Sequence, residues 1–94
     1  MYATDLTIIT PATSTNQDGV LFFDFLKNNA LNDQVVINVP GHLTLSSSFL
    51  NSSVGKFIDI FGLDKFKENV KISTNKNVFI QFKNYIESYN DLVK

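Results

Sequence analysis

The stretch Gln34 to Gly62, QVVINVPGHLTLSSSFLNSSVGKFIDIFG, changes its apolar period from that of a strand to that of a helix. Val35, Val36, Ile37 and Val39 form a β-branched run stopped by Pro40-Gly41, which fits a strand buried on both faces and ended by turn chemistry. From Phe49 onward, Phe49, Leu50, Val54, Phe57, Ile58 and Phe61 recur at the spacing of one helical face, and Asn51, Ser52, Lys56 and Asp59 take the other. Gly62 is placed to close this helix in a left-handed conformation. Between strand and helix stand Ser46, Ser47 and Ser48, three hydroxyls at the helix entrance. The functional reading concentrates there.

Working outward, Leu6 to Ile9 is an apolar, partly β-branched run bounded by Asp5 and Pro11, and it reads as a first strand. Ser14 with Gln17, or Thr15 with Asp18, makes a capping-box pattern, so the first helix is expected to begin near Asn16. Its apolar residues, among them Val20, Leu21, Phe22, Phe23, Phe25 and Leu26, cover more than one stripe, as in a helix held by both a sheet and a second helix or partner. Beyond Gly62, Asp64 is expected to cap a short turn carrying Phe66. Val70 to Thr74 alternates as a strand, and Thr74 or Asn75 caps a last helix with Val78, Phe82, Tyr85, Ile86, Tyr89 and Leu92 on one face. The order β, α, β, α, β, α predicts an α/β domain: a small sheet of three to four mostly parallel strands with three main helices packed on it, joined by right-handed crossovers. Such a sheet has open edges, which dimerisation or a partner would cover unless Lys71 and the shortness of the strands keep them solvated.

Composition narrows the function classes. Ninety-four residues make one domain, spanning residues 1–94, and 44% hydrophobic content with nine Phe supplies a core. Eight basic residues against nine acidic ones, with no Lys cluster, leave no electrostatic footprint for nucleic acid or an anionic membrane. All eight basic residues are Lys, so the bidentate anion grip of Arg is absent. The lack of Cys removes disulfides, thiolate metal sites and thiol catalysis. Met1 to Thr10 has no positively charged leader pattern and no run reaches membrane-spanning length, so a soluble cytoplasmic protein is expected.

The apolar strand, the Leu45-Ser46-Ser47-Ser48-Phe49-Leu50 helix opening, the Asn16-Gln17-Asp18-Gly19 entry to the first helix, Phe66 and the Lys71-Ile72-Ser73-Thr74-Asn75 strand exit together resemble a bacterial STAS-like domain family whose members mostly lack an assigned function. The resemblance covers the chain from Ser14 onward. That family is similar in turn to the STAS domains of anti-sigma-factor antagonists, where a histidine-kinase-like ATPase phosphorylates a serine at the start of the helix after the central strand. There the motif is Asp-Ser-Ser-Gly. Here Ser46 falls in the Asp slot, Ser47 in the phosphoserine slot, Ser48 in the second serine slot and Phe49 in the Gly slot, so two of the four positions agree. A register shift by one residue makes Ser48 the acceptor.

Elementary chemistry weighs the same residues independently. A serine at a helix start accepts a hydrogen bond from an unpaired backbone N–H, a stabilisation of about 1 kcal/mol, so at least one of the three is a plain cap. The same helix end carries roughly half a positive charge, which tolerates a phosphate of about −1.5 to −2. Ser53 lies on the apolar face and is expected to pack closely and bond back to a carbonyl, while Ser52 faces solvent. Gly55 reads as a close-packing position. His42, the single histidine, has no carboxylate between Gln34 and Lys56 to orient it, so neither a hydrolytic triad nor a metal site is expected. The scattered glycines form no phosphate loop and no cofactor is implied.

The expectation is a non-enzymatic regulatory module that binds a protein, with Ser46, Ser47 and Ser48 as its phosphorylation and partner loop and with His42, Asn51 and Ser52 as further contacts. A histidine-kinase-like ATPase is the partner that the resemblance implies. The alternative is a constitutive adaptor or assembly subunit, a homodimer included, that binds through the Phe-rich first helix or a sheet edge while the serines only cap.

Overall fold

The computed structural model describes the backbone of residues 2–92 and the side chains of residues 2–89. Three short strands, β1 (Tyr2–Asp5), β2 (Val35–Asn38) and β3 (Val70–Ser73), form one sheet in the order β1-β2-β3. Both pairings are parallel, with Val35 opposite Tyr2 on one side and Val70 on the other. The helices are α1 (Leu6–Ile9), α2 (Asn16–Asn29), α3 (Ser47–Leu50), α4 (Lys56–Phe61), α5 (Leu63–Asn69) and α6 (Lys76–Leu92). A π-helical turn, Asn51–Gly55, joins α3 to α4, so residues 47–61 wind continuously.

Strand order and connection hand together decide the layering. With parallel strands in the order β1-β2-β3, crossovers of the usual right hand would place the connecting helices on one face of the sheet. The register sorts Val35, Ile37 and Val70 to that face, where they are buried. Asn38, Lys71 and Ser73 alternate to the other face and are exposed, with Val36 half-buried beside them. The central strand is therefore buried on one face, not on both as its β-branched run suggested.

A second correction concerns the first strand. Leu6–Ile9 is a helical turn, and the strand is the preceding Tyr2–Asp5. Asp5 ends the strand by capping: its Oδ1 accepts from the Thr7 amide at 2.9 Å and the Thr7 hydroxyl at 2.6 Å. Leu6 is then driven into the core, while Ile8 is left 79% exposed, which no strand of alternating burial would require.

Other local signals appear as the residues dictate. Thr15 and Asp18 form the capping box of α2. Asn75 caps α6, its Oδ1 accepting from the Val78 amide at 3.0 Å, whereas Thr74 donates its hydroxyl to the Val39 carbonyl at 2.7 Å. Gly62 has φ 94°, in the left-handed half of backbone space where a side chain would be strained. It takes the position before α5, so Asp64 lies in the first turn and is not the cap.

The core sits between the sheet and the helix layer. Phe22 of α2 stacks on Phe49 at 5.8 Å, and Phe57 meets Phe61 and Phe66 at 5.0 and 6.0 Å. Phe22, Phe23 and Leu26 are all buried, Lys56 lying over the Phe23 ring at 4.6 Å, so these residues belong to the core, while Phe25 is half-buried and Val20 and Leu21 of the same helix are exposed. Val78 and Phe82 seat α6. Leu92, assigned by periodicity to the same face, lies outside the described side chains.

Candidate functional site

The loop from Val39 to Ser46 leaves the carboxyl end of the central strand and delivers the serines to the start of the continuous helical segment. Pro40 opens it with a tight turn, closed by the Leu43 amide on the Pro40 carbonyl at 3.2 Å. Gly41 lets the side-chain amide of Asn75 come close, and a Cβ there would displace that amide. Each side of the loop is tied to a different element. The Val39 amide bonds the Ser73 carbonyl at 2.9 Å, and the Thr13 hydroxyl donates to the Thr44 carbonyl at 2.8 Å. The Ser46 amide returns to the Thr13 carbonyl at 3.1 Å, and the Leu45 amide reaches Gln81 Oε1 of α6 at 3.4 Å. Leu45, buried between them, completes the anchoring. The serines thus stand on a loop held from three sides.

Their roles separate. Ser46 is the cap: its backbone is extended and its Oγ accepts from the Phe49 amide at 3.1 Å. Ser47 and Ser48 occupy the first helical positions and are exposed, and their hydroxyls make no hydrogen bond among the described residues. Phe49, in the slot where the resembled motif has Gly, is fully buried against Phe22 and does not shape the surface. Two free hydroxyls at the positive end of a helix can take up a phosphoryl group from an external donor, and the unpaired amides of the first turn favour the resulting charge.

The remaining candidates fall differently. His42 is exposed in the turn and makes no hydrogen bond among the described residues. Asn51 accepts from the Tyr85 hydroxyl at 2.6 Å, which joins the helical segment to α6. Ser52 donates to Asn16 Oδ1 at 2.9 Å and is half-buried against the start of α2, so it is a packing contact and not the solvent-facing residue that its position suggested. Ser53, fully buried, donates to the Phe49 carbonyl at 2.7 Å, as the spacing implied. The sequence pointed to neither Asn16 nor Tyr85 as a partner of this segment, because both lie more than thirty residues away.

Between these contacts lies the π turn. One glycine packed against it and another that ends it are places where neighbours come close. A Cβ on Gly19 of α2 would lie 2.5 Å from the Phe49 carbonyl oxygen and 2.6 Å from Ser52 Cβ. A Cβ on Gly55 would meet the Tyr85 hydroxyl and, at 3.2 Å, the Tyr89 ring. Phe49, Ser53, Phe57 and Phe61 recur every four residues, and on an α-helix such a row drifts by about 40° at each step. A turn with more residues per revolution takes part of that drift back and keeps the row on the core.

Electrostatics at the site are mild. At the exit of β1, hydrogen bonds from the Thr7 hydroxyl, then the Thr7 amide and Asn38, hold the Asp5 carboxyl below its usual range. Across the helix layer, burial first, then the Asp59 hydrogen bond and charge and the neighbouring Tyr85, push the Tyr89 phenol up to about 12. Burial and Asp59 raise Tyr85 as well. Among the described residues no cluster of His, Asp and Glu is arranged to hold a metal ion, and no helix is long and apolar enough to cross a membrane.

Residues 18–78 match the model of a family described as a STAS-like domain of unknown function. That match contains β2, the serine loop, the continuous helical segment, α5 and β3. No curated protein and no solved structure matches the chain.

Proposed function

This chain belongs to the family of STAS-like domains of unknown function, and from that premise we propose that it is a non-enzymatic bacterial signalling module whose protein-binding loop is switched by phosphorylation at Ser47, with Ser48 as the rival acceptor. The observation that carries this reading is the division of labour among the three serines. Ser46 is committed to the Phe49 amide, while the Ser47 and Ser48 hydroxyls, one and two residues later, stand exposed with no hydrogen bond among the described residues. A phosphate there changes the charge of a loop already anchored to Thr13, Ser73 and Gln81, and the helix end favours that charge. The surface a partner sees is altered and the fold is not, as a reversible switch requires.

The phosphoryl donor in this reading is a partner ATPase of the histidine-kinase type, which must bring its own base and nucleotide site. The test is to incubate the protein with ATP and such an ATPase, locate phosphate by mass spectrometry, and compare partner binding by wild type, Ser47→Ala and Ser47→Asp. The expected result is a single phosphate on Ser47 and opposite effects of the two substitutions on partner binding. No phosphate on Ser47 or Ser48, together with partner binding indifferent to Ser47→Asp, defeats the proposal.

A further inference from the structure

The sheet ends at β3 and the helix layer ends at α6, and a groove of about 570 Å³ runs between them. Phe66, Ile72, Phe82 and Ile86 form its apolar wall, and Phe79, 49% exposed, stands at its lip. Val70, Lys71 and Ile72 all line it. Successive strand residues point to opposite faces, so three in a row can border one groove only where it reaches the open edge of the strand. Along that edge, among the described residues, no strand pairs with the outer side of β3, so its outward ladder groups have no strand partner.

Charge distinguishes among the occupants. Among the described residues, Lys67, Lys71 and Lys83 border the groove against one acid, Glu87, on a chain whose acidic residues outnumber its basic ones. Lys71 Nζ is seated on the Lys67 carbonyl at 3.2 Å, near the C-terminal end of α5, which fixes one of these cations beside the edge. A second copy paired through β3 would set one lysine border against another, and like charges across strands repel. A small amphiphile would fill the apolar wall and leave the strand's backbone groups unpaired. An extended peptide with alternating apolar and acidic side chains answers all three features at once.

We propose that this edge groove binds an acidic, extended segment of a partner protein, added along β3 as a fourth strand with its apolar side chains against Phe79, Phe82 and Ile86 and its carboxylates toward the three lysines. The surface is separate from the serine loop, so the proposal stands whether or not that loop is phosphorylated.

The probe is a fluorescein-labelled peptide of alternating valine and glutamate, titrated by anisotropy, with hydrogen exchange followed at the β3 amides. The controls are a peptide of alternating valine and lysine and the double variant Lys71→Glu/Lys83→Glu, whose positions are exposed and outside the core. Binding of the acidic peptide, protection of β3 amides, and a loss of about tenfold or more in the double variant support the proposal. Four outcomes overturn it: no binding by the acidic peptide, equal binding by the lysine peptide, equal binding by the double variant, or β3 protection that rises with protein concentration in the absence of peptide, which identifies a second copy as the occupant. A fifth is laurate displacing the peptide without restoring exchange at β3, which identifies a small amphiphile.

Discussion

Replacing each serine at the helix entrance in turn separates capping from function, and the structure sets the size of each effect. Ser46→Ala removes the side-chain acceptor of the Phe49 amide, a 3.1 Å bond at the start of the continuous segment 47–61, and leaves its own backbone bond to Thr13 in place. Loss of such a cap costs about 1 kcal/mol, within a span of roughly 0.5–2. For a domain of this length that corresponds to a fall in melting temperature of about 4–8 °C per kcal/mol. Ser47→Ala removes an exposed hydroxyl that has no hydrogen bond among the described residues, so its effect is within about 0.5 kcal/mol of zero. Ser47→Asp sets a carboxylate against the positive helix end and stabilises by about 0.3–1 kcal/mol, an increment that salt screens. The assay is urea unfolding of wild type and the three variants at low and high salt, followed by circular dichroism. A cost for Ser47→Ala equal to that for Ser46→Ala would refute the division of roles, and so would a Ser46→Ala variant as stable as wild type.

Three further outcomes follow from individual contacts. Gly19→Ala should lower stability by about 1–3 kcal/mol despite a helix-propensity gain of about 1, because the new methyl meets a backbone carbonyl that already accepts from Ser53; a higher melting temperature contradicts the close approach of α2 to the π turn. Tyr89, pushed to about 12, should release its proton after the ordinary range near 10.0; because the folded value is the higher one, its influence on stability is absent below pH 10.0 and destabilises the fold as pH rises from there toward 12. Ultraviolet titration of tyrosinate should show a late step that Asp59→Asn brings down, and a single step for all tyrosines would count against the Asp59 contact. The Asp5 carboxylate, held below its usual 3.8, stabilises fully above that value and loses its effect as pH falls through the depressed one, so the stability gap between wild type and Asp5→Ala should be constant near neutrality and close in acid; a gap that widens in acid would contradict the Thr7 and Asn38 bonds.

Local chemistry was legible in the chain itself. The capping box of Thr15 and Asp18, the Asn75 cap, the left-handed Gly62, the back-bonding Ser53 and the strand at Val35 each depend on residues within about four positions of one another, and each is in place. The absence of Arg and Cys, and the run of three serines before an apolar helical face, are likewise properties of the sequence alone. The row from Phe49 to Phe61 read as one helical face, and the π turn inside it was settled by the tertiary structure.

What required the tertiary structure was every choice settled by a distant partner. Leu6–Ile9 has the composition of a strand, but the ladder is awarded to Tyr2–Asp5 because that segment reaches Val35–Asn38 before Asp5 turns the chain. Phe22 and Phe23 read equally well as core or as docking surface until the helical segment at Phe49 and Lys56 covers them. Three adjacent serines are chemically alike, and which one caps depends on where Thr13 and Gln81 pin the loop. The physical reason is common to all of these. Propensity and capping energies act over one helical turn, whereas strand pairing, layer order and the exposure of a face are set by elements brought together from opposite ends of the chain, and at residues 46–48 that remote packing alone leaves Ser47 and Ser48 free.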